Sequence, residues 1–114
     1  MKLKEIIQLT NAQVVTGKDV DIAEILWAYS SDLMSDVLTL DADQILLISG
    51  LANVQLIRTA EMADVAVVLL ARGKKASPEM IDMADKAGLV FLETSFSLFR
   101  ASGVLFANGL LPVY

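Results

Sequence analysis

The sequence predicts an α/β domain, a three-layer α/β/α sandwich around a mostly parallel sheet. Three observations carry this. Residues 44–49, 65–70 and 89–92 are apolar runs of strand length without polar alternation, which suits strands covered on both faces. After each run comes a segment with apolar residues at helical spacing, opened by a residue able to cap a helix. Strand and helix alternating in this way imply parallel strands joined by right-handed crossovers.

Taken in order, residues 2–9 place Leu3, Ile6 and Ile7 on one helical face, and Thr10 and Asn11 end that helix. Residues 12–16 form a strand closed by the turn residues Gly17, Lys18 and Asp19. Residues 22–29, with Trp27 and Tyr29, read as a second strand despite Asp21 and Glu24. Ser31 or Asp32 caps a helix through Leu33, Met34, Val37 and Leu38 that stops near Asp41. The irregular first third therefore adds an edge to the sheet.

The regular part begins with the strand at 44–49, which Gly50 follows directly. Asn53 caps a helix over 53–63 carrying Val54, Ile57 and Ala60. After the strand at 65–70 and a loop at 71–76, Ser77, Pro78 and Glu79 start a helix for three separate reasons. The hydroxyl accepts an unpaired amide, the proline stands where its missing amide is not needed, and the acid lies at the positive end of the helix dipole. Gly88 supplies the left-handed residue after Ala87. Residues 89–92 form a last strand, Thr94 or Ser95 caps a helix through Leu98, Phe99 and Val104, and Asn108 and Gly109 end it.

Composition excludes several classes of activity. A chain of 114 residues builds one core, so residues 1–114 are expected to form a single domain. Hydrophobic residues make up 55%, but no run approaches the roughly 18 consecutive apolar residues of a membrane span. Lys2 and Lys4 precede apolar residues, yet Glu5 and Gln8 interrupt any signal-peptide core, which points to the first helix of a cytoplasmic protein. Cysteine and histidine are both absent, which removes disulfides, thiolate nucleophiles, imidazole bases and nearly every transition-metal site. Neither catalytic residues nor a cofactor are expected. A net charge of −5 argues against a general nucleic-acid binder, which needs a basic face.

Binding chemistry is expected where parallel strands end and helices begin, because helix amides converge there. The candidate contacts are Ser49, Gly50 and Asn53 in the first turn, Arg72, Gly73 and Lys74 in the second, and Thr94 and Ser95 in the third. The second turn, Arg72 to Ser77, sets three cations around a glycine before a helix, an arrangement that attracts a phosphate or carboxylate; the alternative is a solvated basic loop whose glycine allows a positive φ. It is not a phosphate-binding P-loop, because Val68 stands where the first glycine belongs and Lys75 where the hydroxyl belongs. No dinucleotide fingerprint follows Gly50 either.

Other groups have plain structural readings. Asp32 and Asp36 lie four apart, so on a helix they share a face and flank a Mg²⁺ in the least favoured, enzymatic reading; the structural one makes them helix-start acids. Ser31 and Ser35 have no base to activate them. Arg58 suits an ion pair with Glu61, and Met34, Met62, Met80 and Met83 read as core or interface filler. Trp27, Tyr29, Phe96, Phe99, Phe106 and Tyr114, with the apolar stretch 110–114, point to a surface hidden in a symmetric homodimer.

Residues 31–38 (SDLMSDVL), 50–62 (GLANVQLIRTAEM) and Arg72-Gly73-Lys74 give the chain its resemblance to a stand-alone DRTGG-domain protein. DRTGG domains are similar to the amino-terminal domain of HPr kinase/phosphorylase and occur beside CBS domains in certain pyrophosphatases and ahead of phosphotransacetylase catalytic domains. The resemblance implies an α/β/α fold and a regulatory or ligand-sensing role, with catalysis residing in other domains. Short stand-alone members look like proteins encoded near iron-only hydrogenase and electron-transfer genes, which implies an accessory role in a redox or hydrogenase-linked enzyme system. The sequence departs from the motif that names the family: Leu56-Ile57-Arg58 and residues 70–74 stand in the regions of its Asp-Arg and Thr-Gly-Gly elements. The expected function is a non-catalytic module binding a small anionic ligand such as a nucleotide. The alternative is an accessory subunit that docks a larger partner enzyme.

Overall fold

A computed structural model describes residues 1–114. In chain order the elements are α1 (Leu3–Thr10), β1 (Gln13–Thr16), β2 (Trp27–Ser30), α2 (Met34–Val37), β3 (Ile45–Ser49), α3 (Val54–Met62), β4 (Val67–Leu70), α4 (Pro78–Lys86), β5 (Val90–Glu93), α5 (Leu98–Ala107) and β6 (Leu111–Pro112). The six strands form one sheet in the order β1-β5-β4-β3-β2-β6. All neighbours are parallel except β1, which runs antiparallel to β5. This is the α/β sandwich with a mostly parallel sheet that the sequence predicts.

Side-chain alternation sorts the two faces. Leu47, Val68, Leu70 and Phe91 point to one side, where they pack on Met34 and Val37 of α2, Leu56, Ile57 and Ala60 of α3, and Met80 and Ala84 of α4. Their chain neighbours Leu46, Ile48, Val67, Leu69, Val90 and Leu92 point to the other side, onto Ile6 of α1 and Ala101 and Leu105 of α5. Every residue of β3 and β4 is buried, as apolar runs between two helical layers require.

From β2 to β5 each crossover moves one strand further along the sheet, so right-handed connections put α2, α3 and α4 on the same face. The last connection reverses direction. α5 carries the chain from β5 back across the opposite face to β6, which pairs with β2. The sheet's topological switch point therefore lies between β2 and β6.

The caps explain most helix boundaries. Asn53 accepts from the amides of Gln55 at 2.9 Å and Leu56 at 3.4 Å, and Ser77 accepts from that of Met80 at 3.2 Å. Gly88, at φ +67°, closes α4 as expected. At the far edge, Gly17 has φ +82°, and a Cβ there would lie 2.7 Å from Val90 Cα, so the turn after β1 needs glycine for conformation and for room.

Four sequence expectations about element boundaries and caps are corrected. The strand expected over 22–29 is limited to Trp27–Ser30, because the Ile25 amide bonds to the Met1 carbonyl at 2.8 Å rather than to a strand neighbour. The helix expected through Leu38 is a single turn, with Leu33 57% and Leu38 50% exposed. Neither Ser31 nor Asp32 caps it; the Ser31 hydroxyl accepts from the Leu33 amide at 2.9 Å, outside the helix. At α5 the cap is Ser97, which accepts from the Arg100 amide at 3.0 Å, while Thr94 stays in the turn after β5. Of the methionines expected in the core or at an interface, Met34 and Met80 are buried and Met62 is 73% exposed.

Candidate functional site

Strands β2 to β5 run parallel, so the turns that follow them lie along one rim of the sheet. Asp32 ties three of these turns together. Its Oδ1 accepts from the Ser49 hydroxyl at 3.0 Å and the Gly50 amide at 2.7 Å, and its Oδ2 accepts from the Arg72 guanidinium at 3.3 Å. The same guanidinium nitrogen donates to the Gly50 carbonyl at 2.8 Å. Gly50 leaves the guanidinium its room: a Cβ on it would stand 2.1 Å from Arg72 Nε.

The Arg72 backbone is held in place by the turn after β5. Arg72 and Gly73 both adopt positive φ, +66° and +69°. Their amides donate to the carbonyls of Phe96 at 2.8 Å and Thr94 at 3.1 Å. Non-glycine residues occupy the left-handed region rarely, so these two bonds hold the arginine in a conformation the free chain avoids. Buried Thr94 donates its hydroxyl to the Thr10 carbonyl and accepts from the Phe96 amide at 3.2 Å. Phe96 in turn stacks under Arg100, whose guanidinium carbon lies 3.8 Å from the ring centre.

The expected contacts thus divide. Ser49, Gly50 and Arg72 meet through Asp32, and Gly73 and Thr94 meet through a backbone bond. Asn53 spends its side chain capping α3. Lys74 and Ser95 are exposed, and Lys74 forms no ion pair, whereas Lys75 reaches Glu93 at 3.5 Å. Two acids of the rim were not among the expected ligand contacts: Asp32, and Glu93, which accepts from the Ala76 amide at 2.7 Å. Capping positions near turns offer a carboxylate several partners, and nothing local identifies Arg72, 40 residues away, as the one Asp32 takes.

The least favoured reading, Asp32 and Asp36 sharing one helical face, does not form, because α2 begins at Met34 and Asp32 lies before it. Asp32 faces donors, and no group of three or more Asp and Glu side chains gathers in a metal-binding arrangement.

Beside the rim, at the switch point, lies a groove of about 410 Å³ between β2, α5 and the chain's last residues. Tyr29, Phe99, Phe106, Leu111 and Tyr114 line it, with Phe99 88%, Phe106 65% and Tyr114 86% exposed. The hydroxyls of Tyr29 and Tyr114 pair at 3.2 Å, and those of Ser30 and Ser102 at 2.6 Å. The bond to Tyr114, then burial, then the negative charges of ionised Tyr114 and Asp36 push the Tyr29 phenol up to about 12. A second crevice, of about 560 Å³, opens at the opposite end of the sheet and is lined by Asp21, Asp43, Glu61 and Asp64.

Comparison with known proteins identifies the fold. No protein-family model matches the chain, and no curated protein sequence matches it. Among solved structures, it is similar to the CBS and DRTGG domains of the regulatory region of Clostridium perfringens pyrophosphatase, a crystal structure complexed with the activator diadenosine tetraphosphate. The TM-score is 0.75 at 17% identity, over 98% of this chain and 48% of that one. The chain thus spans about half the length of that structure and shares the fold of the part it matches. No helix is long and apolar enough to cross a membrane.

Proposed function

We propose that the chain is a non-catalytic regulatory module that senses a small anionic ligand, a nucleotide first among them, at the rim formed by the turns after β3, β4 and β5. The observation that carries this reading is the Arg72 guanidinium, fixed across Gly50 beside the unpaired Lys74 and exposed on its solvent side. A planar guanidinium held against the backbone suits the oxygens of a phosphate, and an adjacent ammonium adds charge without fixing geometry. The fold likeness to a pyrophosphatase regulatory region holding diadenosine tetraphosphate supports this choice of ligand. So does the resemblance to DRTGG domains, with their similarity to the amino-terminal domain of HPr kinase/phosphorylase. A chain without histidine or cysteine is suited to binding more than to acid-base or thiol chemistry, and in this reading it works in the cytoplasm.

A thermal-shift series with nucleotides and phosphorylated metabolites tests the proposal by binding linkage. At least one should raise Tm, and Arg72→Ala with Lys74→Ala should erase the rise. A flat response across a broad panel contradicts it.

A second reading rests on a different observation, the exposed aromatics of the switch-point groove. Phe99, Phe106 and Tyr114 are large apolar side chains exposed together on one patch, as at a surface that meets a second copy of the chain or a partner enzyme. Light scattering at micromolar concentration should return a dimer mass that falls to monomer in Phe99→Ser with Phe106→Ser. A monomeric wild type removes the homodimer.

A further inference from the structure

The rim already contains an anion. The Asp32 carboxylate lies within a hydroxyl, a backbone amide and a guanidinium, a donor set that would serve equally for the oxygens of a phosphate. These donors are separate from the start of α3, whose Gln55 and Leu56 amides are taken by Asn53. We propose, resting on the reading above, that Asp32 is an internal stand-in for the ligand: a phosphate group binds by exchanging with its carboxylate, and residues 31–38 are released when it does.

Three features favour exchange over a permanent lock. The Asp32 and Arg72 side chains are 40% and 45% exposed, so solvent screens the ion pair and a solute reaches both partners. Asp32 belongs to a weakly held segment: α2 is one turn long, its flanking Leu33 and Leu38 are half exposed or more, and Met34 and Val37 are its buried anchors. Arg72, by contrast, is held through its backbone by Phe96, and its guanidinium keeps its 2.8 Å bond to the Gly50 carbonyl when the carboxylate leaves. With Asp32 displaced, Arg72 and Lys74 present two positive charges and the Gly50 amide one free donor, which favours a phosphate dianion over a singly charged carboxylate.

Calorimetric titration of the full chain with inorganic phosphate, and separately with acetate, tests the exchange. Asp32→Ala should bind phosphate roughly tenfold more tightly than wild type, about 1.4 kcal/mol, because no carboxylate competes for the site. Asp32→Asn keeps an acceptor for Ser49 and Gly50 without the charge and should fall between the two; it also serves if the alanine variant does not fold. Acetate should bind more weakly than phosphate throughout, and a preference for acetate overturns the assignment to phosphate. In wild type, phosphate should accelerate amide hydrogen exchange in residues 31–38. If both variants bind phosphate no more tightly than wild type while Arg72→Ala still abolishes binding, the rim site stands and the stand-in role of Asp32 is wrong. If phosphate binds neither wild type nor the Asp32 variants, both the exchange and the anion site fall.

Discussion

The two ends of the sheet carry opposite charge chemistry on the same parallel frame. At the carboxyl ends, Arg72, Lys74 and Lys75 stand among backbone donors, and the acids there, Asp32 and Glu93, are already bonded. At the amino ends, Asp21, Asp43, Glu61 and Asp64 line a crevice larger than the groove at the switch point, with no lysine or arginine among its lining residues. A chain of net charge −5 repels anions at long range, so local charge decides where one settles. The larger hollow is therefore the worse site for an anion. Volume and charge separate here because α3 and α4 begin at the carboxyl ends of β3 and β4 and direct their positive dipole ends there.

A pair of glycine substitutions breaks the comparison most sharply. Gly50→Ala places a methyl 2.1 Å from the Arg72 guanidinium, and the flexible arginine end gives way before the backbone does. The phosphate response in thermal shift should drop to the level of Arg72→Ala, with stability changed by less than about 1 kcal/mol. Gly88→Ala, at the amino end, meets nothing within 4 Å but sits at φ +67°. It should cost about 1 kcal/mol in denaturant unfolding through backbone strain and leave the phosphate response unchanged. Equal phosphate responses in the two variants would mean that the ends do not differ in the way described.

The smallest expected effect lies at the switch-point groove beside the carboxyl-end rim. Tyr29 titrates at about 12 in the folded protein against 10.0 for a free phenol, chiefly because of the Tyr114 hydroxyl. Folding therefore favours the protonated phenol. The contribution is fully present below pH 10 and is lost between about 10 and 12, as the unfolded chain ionises before the folded one. Ultraviolet titration should show a late phenol from Tyr29, and Tyr114→Phe should bring it back toward the ordinary value. An unchanged late phenol in that variant contradicts the assignment of cause.

What was legible in the sequence follows the same physical division. β3, β4 and β5 are readable because a strand covered on both faces leaves a continuous apolar run, and α3 and α4 because Asn53, Ser77, Pro78 and Gly88 act on their own neighbours. Elements fixed by distant partners were not readable. β6 is two residues long and exists because Leu111 and Pro112 lie beside Trp27 and Ala28, and its proline is tolerated because the strand is an edge. In the stretch Thr94, Ser95, Phe96, Ser97, three hydroxyl residues compete to cap α5; the Thr94 oxygen accepts from the Phe96 amide in the preceding turn, and Ser97 is the cap. The loops of the site were legible through their strand ends, but the role of Asp32 was not, since it depends on Arg72 adopting a left-handed conformation.

The most direct test of the central claim, that the carboxyl-end rim is where an anion binds, is an amide NMR titration of the wild-type chain with inorganic phosphate. The account predicts that the Gly50, Arg72 and Gly73 resonances move first and together, with those of Asp64 and Gly88 at the opposite end unmoved. Shifts centred on the acidic crevice, or none at the rim at saturating phosphate, would contradict it.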